Sequence, residues 1–165
     1  MKRGNVIWIA LLAVLLGASQ VFAGAVYVPV AQNDVEQGIR YQTQVWVTNT
    51  GSGVGSFTPH FIVTLADGTQ RDGANPVSID VPPGGTFFLN NVAPDGQRGL
   101  LEIDADPNLV VTSRLVSILP NGTELLGATV PVISSDNLVP ADETAHILGV
   151  LREGDKIANL GLANL

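Results

Sequence analysis

Apolar residues recur at every second position through most of this chain, and that period constrains the local structure more than any other feature. In Phe57-Thr58-Pro59-His60-Phe61-Ile62-Val63-Thr64-Leu65 the odd positions are all apolar and the even ones mostly polar. Leu101, Ile103 and Ala105 alternate with Leu100, Glu102 and Asp104, and Tyr41, Thr43, Val45 and Val47 alternate with Gln42, Gln44, Trp46 and Thr48. Successive side chains of a strand point to opposite faces, so this pattern sets one face on a core and the other toward solvent, as in antiparallel sheets. Valine, isoleucine, threonine and phenylalanine supply the matching strand propensity.

Turn chemistry divides the pattern into short pieces. Ala66-Asp67-Gly68-Thr69, Pro83-Gly84-Gly85, Pro94-Asp95-Gly96 and Pro120-Asn121-Gly122-Thr123 each interrupt a strand-like run with residues that start turns or tolerate positive φ. The spacing predicts strands near 26–30, 41–49, 57–66, 76–81, 86–91, 99–105, 109–119 and 124–133. Eight short strands separated by turns predict an all-β fold, an immunoglobulin-like antiparallel β-sandwich. No segment after residue 25 carries a 3.6-residue period, so helix content is expected to be very low. Ser134–Glu143 is polar around a central proline and reads as a linker or long loop.

The first 23 residues follow a different pattern. Lys2 and Arg3 precede an unbroken apolar run, Val6–Leu16, and small residues follow at Ala18, Ala23 and Ala25. This is the three-part pattern of a secretory signal peptide, with cleavage expected after Ala23 or Ala25. The run is too short for the ~20 residues of a spanning helix, so no membrane association is expected once the leader is removed. The expected location is therefore outside the cytosol: secreted, periplasmic or at the cell surface. A chain starting at Gly24 carries 15 acidic and 6 basic residues, a formal charge of −9. That field opposes phosphate backbones, which argues against nucleic-acid binding. There are no cysteines, so no disulfide supports an exported fold, but about 140 residues bury enough core without one.

The end of the chain repeats its beginning. Ala145-His146-Ile147-Leu148-Gly149-Val150 matches Ala25-Val26-Tyr27-Val28-Pro29-Val30 in pattern, and Ala158–Asn164 matches Thr43–Asn49. The expected organisation is a signal peptide at 1–23, a sandwich at 24–133, a linker at 134–144 and two strands at 145–165. Two strands cannot bury a face alone. They either open a second copy, close the first domain's sheets, or pair with another molecule; an accidental match of alternating patterns is the remaining alternative.

Several phrases of the chain together resemble a family of exported bacterial β-sandwich repeats, of the kind found in Acidobacteria. They are Tyr27-Val28-Pro29, Thr43–Asn49, Val81-Pro82-Pro83-Gly84-Gly85-Thr86, Leu109-Val110-Val111-Thr112-Ser113-Arg114 and Asn159-Leu160-Gly161-Leu162-Ala163-Asn164. The resemblance implies a sandwich fold and a secreted or surface role, and it brings no catalytic residues with it.

Candidate chemistry is sparse. His60 and His146 are the only histidines, and neither sits in a His-x-His or His-x-x-x-His spacing, so both read as surface or packing residues. Gly51-Ser52-Gly53-Val54-Gly55 joins two strands rather than opening a helix, which makes it a loop and not a phosphate cradle. Asp104, Asp106 and Asn108 place oxygens at positions 1, 3 and 5 of a calcium-type loop. However, Leu109 stands where that loop needs glycine and Leu115 where it needs glutamate, so a structural turn is the stronger reading. Asn121-Gly122-Thr123 is formally a glycosylation sequon and equally a hairpin turn. No cofactor is expected.

Trp46 is the residue most suggestive of a binding surface. Alternation turns it away from Val45 and Val47, beside Gln42, Gln44 and Thr48, where it could offer a flat platform to a sugar ring or a partner protein. Alternatively both faces of its strand are covered and it belongs to the core. Arg114, inside an apolar strand, is expected at an outward or edge position. The leading functional expectation is a non-catalytic structural or adhesive module. A carbohydrate- or protein-binding module using Trp46, Gln42 and Gln44 is the alternative, with self-association through the C-terminal strands as a further partner possibility. A hydrolase is disfavoured because no acid–base or nucleophile set converges in the sequence.

Overall fold

Among the described residues the alternation resolves into nine strands. The computed structural model describes residues 24–64, 77–125, 127–140 and 142–143. Its strands are β1 (Gly24–Glu36), β2 (Ile39–Asn49), β3 (Gly55–Val63), β4 (Ile79–Val81), β5 (Thr86–Leu89), β6 (Gln97–Ala105), β7 (Leu109–Ile118), β8 (Ala128–Val130) and β9 (Ile133–Ser134). All pairings are antiparallel, in the order β4-β3-β6-β1-β2-β7-β8, with β5 on the far half of β2 and β9 on β1. There is no α-helix among the described residues, and no helix among them is long and apolar enough to cross a membrane.

β1 is the seam of this sheet. Gly24–Val28 and, after a slip, Ala31–Asn33 pair with β6, and Val26 and Tyr27 also pair with β9. Its last residues, Asn33–Glu36, pair with β2. Between the two stretches paired with β6 the register slips at Val28/Ala31, where Pro29 has no N–H to give to a ladder. The hydroxyl of the fully buried Thr43 mends the gap. It donates to Val30 O at 2.9 Å and accepts from Gln32 N at 3.0 Å. The sheet thereby folds over itself without closing into a barrel.

One core fills the space between the two halves. Val26, Val28, Phe57, Phe61, Leu101 and Ile103 from β1, β3 and β6 pack with Val45, Val47, Leu109 and Val111 from β2 and β7. These are the inward positions that two-residue alternation selects, and the all-β antiparallel sandwich class follows from them.

Two local expectations differ from the fold. The strand expected at 124–133 is interrupted, leaving β8 and β9 as short pieces on either side of Pro131. A Cβ at Gly127 would lie 2.6 Å from Leu115 O, so only glycine allows the chain past β7 there. The linker expected from Ser134 begins with ordered structure instead. Ser134 is buried in β9, and its hydroxyl accepts from Asp136 N at 3.3 Å, capping one 3₁₀ turn at Ser135–Asn137. The leader, the Ala66–Thr69 turn and the strands expected at 145–165, His146 included, lie outside the described residues.

Candidate functional site

The outer face of β2 carries the most distinctive side-chain arrangement. Odd residues of β2 turn into the core, so Gln42, Gln44, Trp46 and Thr48 face outward. In register, Trp46 lies opposite Phe88 of β5 and Thr112 of β7, and Gln44 lies opposite Arg114 of β7. The Trp46 and Phe88 rings stack with centroids 5.0 Å apart and planes 25° from parallel. The Arg114 guanidinium lies 5.3 Å from the centre of the indole. β5 and β7 flank β2 on opposite edges, so phenyl and guanidinium approach the indole from opposite sides.

Further bonds fix this row. Arg114 Nε donates to Gln44 Oε1 at 2.8 Å, and Arg114 Nη2 donates to Glu124 Oε1 at 2.7 Å. Next to the aromatic pair, the hydroxyls of Thr48 and Thr86 share a hydrogen bond of 2.9 Å. An aromatic pair contributes about 0.5–1.5 kcal/mol beyond its buried area, an exposed cation–π contact about 0.5–1, and an exposed ion pair less still. The row is thus a modest source of stability. Its main consequence is that its side chains are held in place before any partner arrives.

The three residues singled out by sequence have different roles within it. Trp46 faces outward but has a neighbour on each side. Gln44 is only 7% exposed and its side-chain oxygen is taken by Arg114. Gln42 donates to Asn90 O and to Asn91 Oδ1, tying β2 to the loop after β5. The side chain that sequence reading missed is Phe88, which is 45% exposed. Among the described residues β5 pairs only with β2, so the side of the Phe88 ring away from Trp46 faces the sheet's edge. No local pattern announces this, because it depends on the pairing of residues 46 and 88.

The Asp104–Asn108 segment does not form a ligand cage. Asp106 Oδ2 accepts from Ser56 N at 2.7 Å and Ser56 Oγ at 3.1 Å. Asn108 Nδ2 donates to Asn49 Oδ1 at 2.8 Å, and Asp104 Oδ2 sits 3.3 Å from His60 Nε2. The three side chains thus reach three different neighbours. Among the described residues no group of three or more His, Cys, Asp and Glu side chains is placed to hold a metal ion.

His60 sits on the face of β3 turned away from Phe57 and Phe61, but its side chain is only 12% exposed and it is not isolated. Glu102 of β6 is in register with both His60 and Tyr27, giving a row Tyr27–Glu102–His60 across three strands with Asp104 beside it. Tyr27 and Glu102 are buried. Acid–base groups therefore meet here, flat on a sheet. The adjacent opening, about 230 Å³, is lined by Ser56, Thr58, Asp104 and Asp106 and does not reach His60.

Comparison with known proteins assigns no family. No family model matches the chain, and no curated protein matches it. Among solved structures, a chain titled "Crystal Structure of Thermotoga maritima 1070" is 13% identical with a TM-score of 0.43, over 67% of this chain and 94% of that one.

Proposed function

We propose that the chain is a non-catalytic structural and adhesive β-sandwich module, exported and held at the cell surface or in the envelope, that contacts a protein partner through the face around Trp46 and Phe88. The observation that carries this reading is the fixed row Phe88–Trp46–Arg114–Glu124 on an outer sheet face. Tryptophan, arginine and aromatic side chains dominate protein contact energies because they bury much area with little ordering cost. Here that cost is already met by the stacking and by the bonds to Gln44 and Glu124. The leader-like segment ending at Ala23 and the resemblance to exported repeat proteins support the location.

The geometry favours a protein over a sugar ring at this face. Stacking a pyranose requires an open aromatic face, and the indole has Phe88 on one side and Arg114 on the other. What remains open is the phenyl of Phe88 and the polar tips around it, an irregular surface suited to another side-chain surface.

Trp46→Ala and Phe88→Ala should each weaken retention on envelope material of the producing cell by more than about tenfold, the effect typical of a central interface aromatic. Beyond the area each ring buries, Phe88→Ala should lower stability by about 0.5–1.5 kcal/mol, the worth of one stacked aromatic pair, and Trp46→Ala by about 1–2.5 kcal/mol, because the cation–π contact is lost with the stack. Retention of the purified chain from Gly24 onward, measured beside its thermal midpoint, checks this. Unchanged retention by both variants would remove the face from the account.

A further inference from the structure

A second polar opening lies where the β1–β2 hairpin meets the loop after β5. It has a volume of about 520 Å³, inside the range of small-molecule sites, with Phe61 and Val92 at its apolar floor and Asn33, Arg40, Asn91 and Asp95 around it. Arg40 is held from one end. Its Nη1 donates to Asn33 Oδ1 at 2.8 Å and to Asp95 Oδ1 at 2.7 Å. Asn33 is only 7% exposed and is fixed in turn, its Nδ2 donating to Ala93 O at 3.2 Å and its backbone carbonyl accepting from Gly96 N at 2.7 Å. Among the described residues, Arg40 Nε and Nη2 make no hydrogen bond. Asn91 Oδ1 accepts from Gln42 Nε2 at 2.9 Å, which leaves Asn91 Nδ2 as another donor at the opening. The Asp95 carboxylate, with its side chain 79% exposed, supplies acceptor capacity.

Charge selects among ligand classes. The Arg40–Asp95 pair is neutral as a unit, inside a protein of strongly negative net charge. An anionic ligand would meet both Asp95 and that field, and a cationic one would compete with Arg40 for the same carboxylate. A neutral ring bearing adjacent hydroxyls meets neither obstacle. Its hydroxyls can donate to Asp95 and accept from Arg40 and Asn91, while its C–H face lies toward Phe61 and Val92. We infer that this opening is a binding site for a neutral pyranose unit, separate from the Trp46 face and independent of the partner proposed for it.

The test is a ¹⁵N-NMR titration of the chain from Gly24 onward with methyl glucopyranoside, methyl galactopyranoside and methyl mannopyranoside, and with glucuronic acid as the anionic counterpart. At least one neutral glycoside should saturably shift the Arg40 Nε–H and Asn91 side-chain signals, with a Kd of about 1 mM, the affinity a ring of this size can reach. Glucuronic acid should bind at least about tenfold more weakly. Arg40→Lys keeps the charge and loses the planar fork, so affinity should fall by about tenfold or more. Asn91→Ala, at an exposed position, should fall severalfold with a thermal midpoint lowered by no more than about 3 °C, the loss of one exposed hydrogen bond from Gln42, which keeps the test decisive if Arg40→Lys folds poorly. Disaccharides of the preferred sugar distinguish the source: tighter binding identifies a glycan chain, equal binding a free monosaccharide. No saturable shift with any neutral glycoside, equal binding of glucuronic acid, or undiminished affinity in Asn91→Ala would overturn the inference.

Discussion

Replacing Asn49 with alanine is expected to destabilise the fold by about 3 kcal/mol, the cost attached to removing a fully bonded buried amide. Asn49 ends β2 at 1% exposure and uses its whole side chain. Its Nδ2 donates to Gly53 O and Val81 O, both at 2.8 Å, and its Oδ1 accepts from Gly51 N and Asn108 Nδ2, both at 2.8 Å. Its backbone closes the same end, donating to Gly85 O at 2.9 Å and accepting from Gly84 N at 3.0 Å. One residue thus joins the β2–β3 loop, β4, the Pro-Pro-Gly-Gly turn and the β6–β7 turn. Alanine strands several of these groups, and Val81 is itself buried. Asn49→Asp should be no milder, since it sets a carboxylate oxygen against two carbonyls. Asn108→Ala removes one of the four bonds and should cost about 1 kcal/mol. Urea unfolding of the three variants measures the series; a cost below about 1 kcal/mol for Asn49→Ala would show that the loops hold this end without it.

Gly99→Ala should be comparably severe for a different reason. A Cβ at this position in β6 would lie 2.0 Å from Ile62 O and 3.0 Å from the Phe61 ring. The first obstacle is the backbone of β3, which cannot rotate away as a side chain can. Gly99 sits in register with Ala31 on one side and Val63 on the other, just beyond the register slip of β1. Accommodating a methyl group therefore means prising β3 from β6 next to the core. Overpacking of this kind costs about 3 kcal/mol and should lower the thermal midpoint by about 10 °C. A thermal scan of Gly99→Ala beside Gly96→Ala separates the two possible causes. A Cβ at Gly96 meets nothing within 4 Å, and its substitution carries only the strain of φ +76°. Equal midpoints for the two variants would show that close approach is not the reason for glycine at 99.

Much of the fold was legible because alternation is a local property. Val45, Val47, Leu101, Ile103, Phe57 and Phe61 are inward by parity alone, and the core contains all six. Parity breaks at Pro29-Val30, where the register slip restarts the count, and the second half of β1 was hidden for that reason. The hairpin after it was also obscured. Gln37 and Gly38 both take positive φ, at 52° and 80°, and glutamine is a poor advertisement for such a turn where asparagine would have marked it.

At the candidate site, the outward direction of Trp46 followed from its neighbours in sequence, but what it touches did not. Phe88 and Arg114 reach it only because β5 and β7 flank β2. Asp104, Asp106 and Asn108 are misleading in the same way. Their spacing suggests a shared ligand, whereas strand pairing hands them separately to His60, Ser56 and Asn49.

The proposed role depends on Trp46 standing on a prebuilt outer surface rather than inside the sandwich. In a chain starting at Gly24 it is the sole tryptophan, the other being Trp8, so intrinsic fluorescence reports on it directly. Acrylamide quenching in the folded state should be appreciable and should increase in Phe88→Ala while the chain remains folded. Deep-blue emission resistant to acrylamide in both proteins would place the indole in the core and contradict the account.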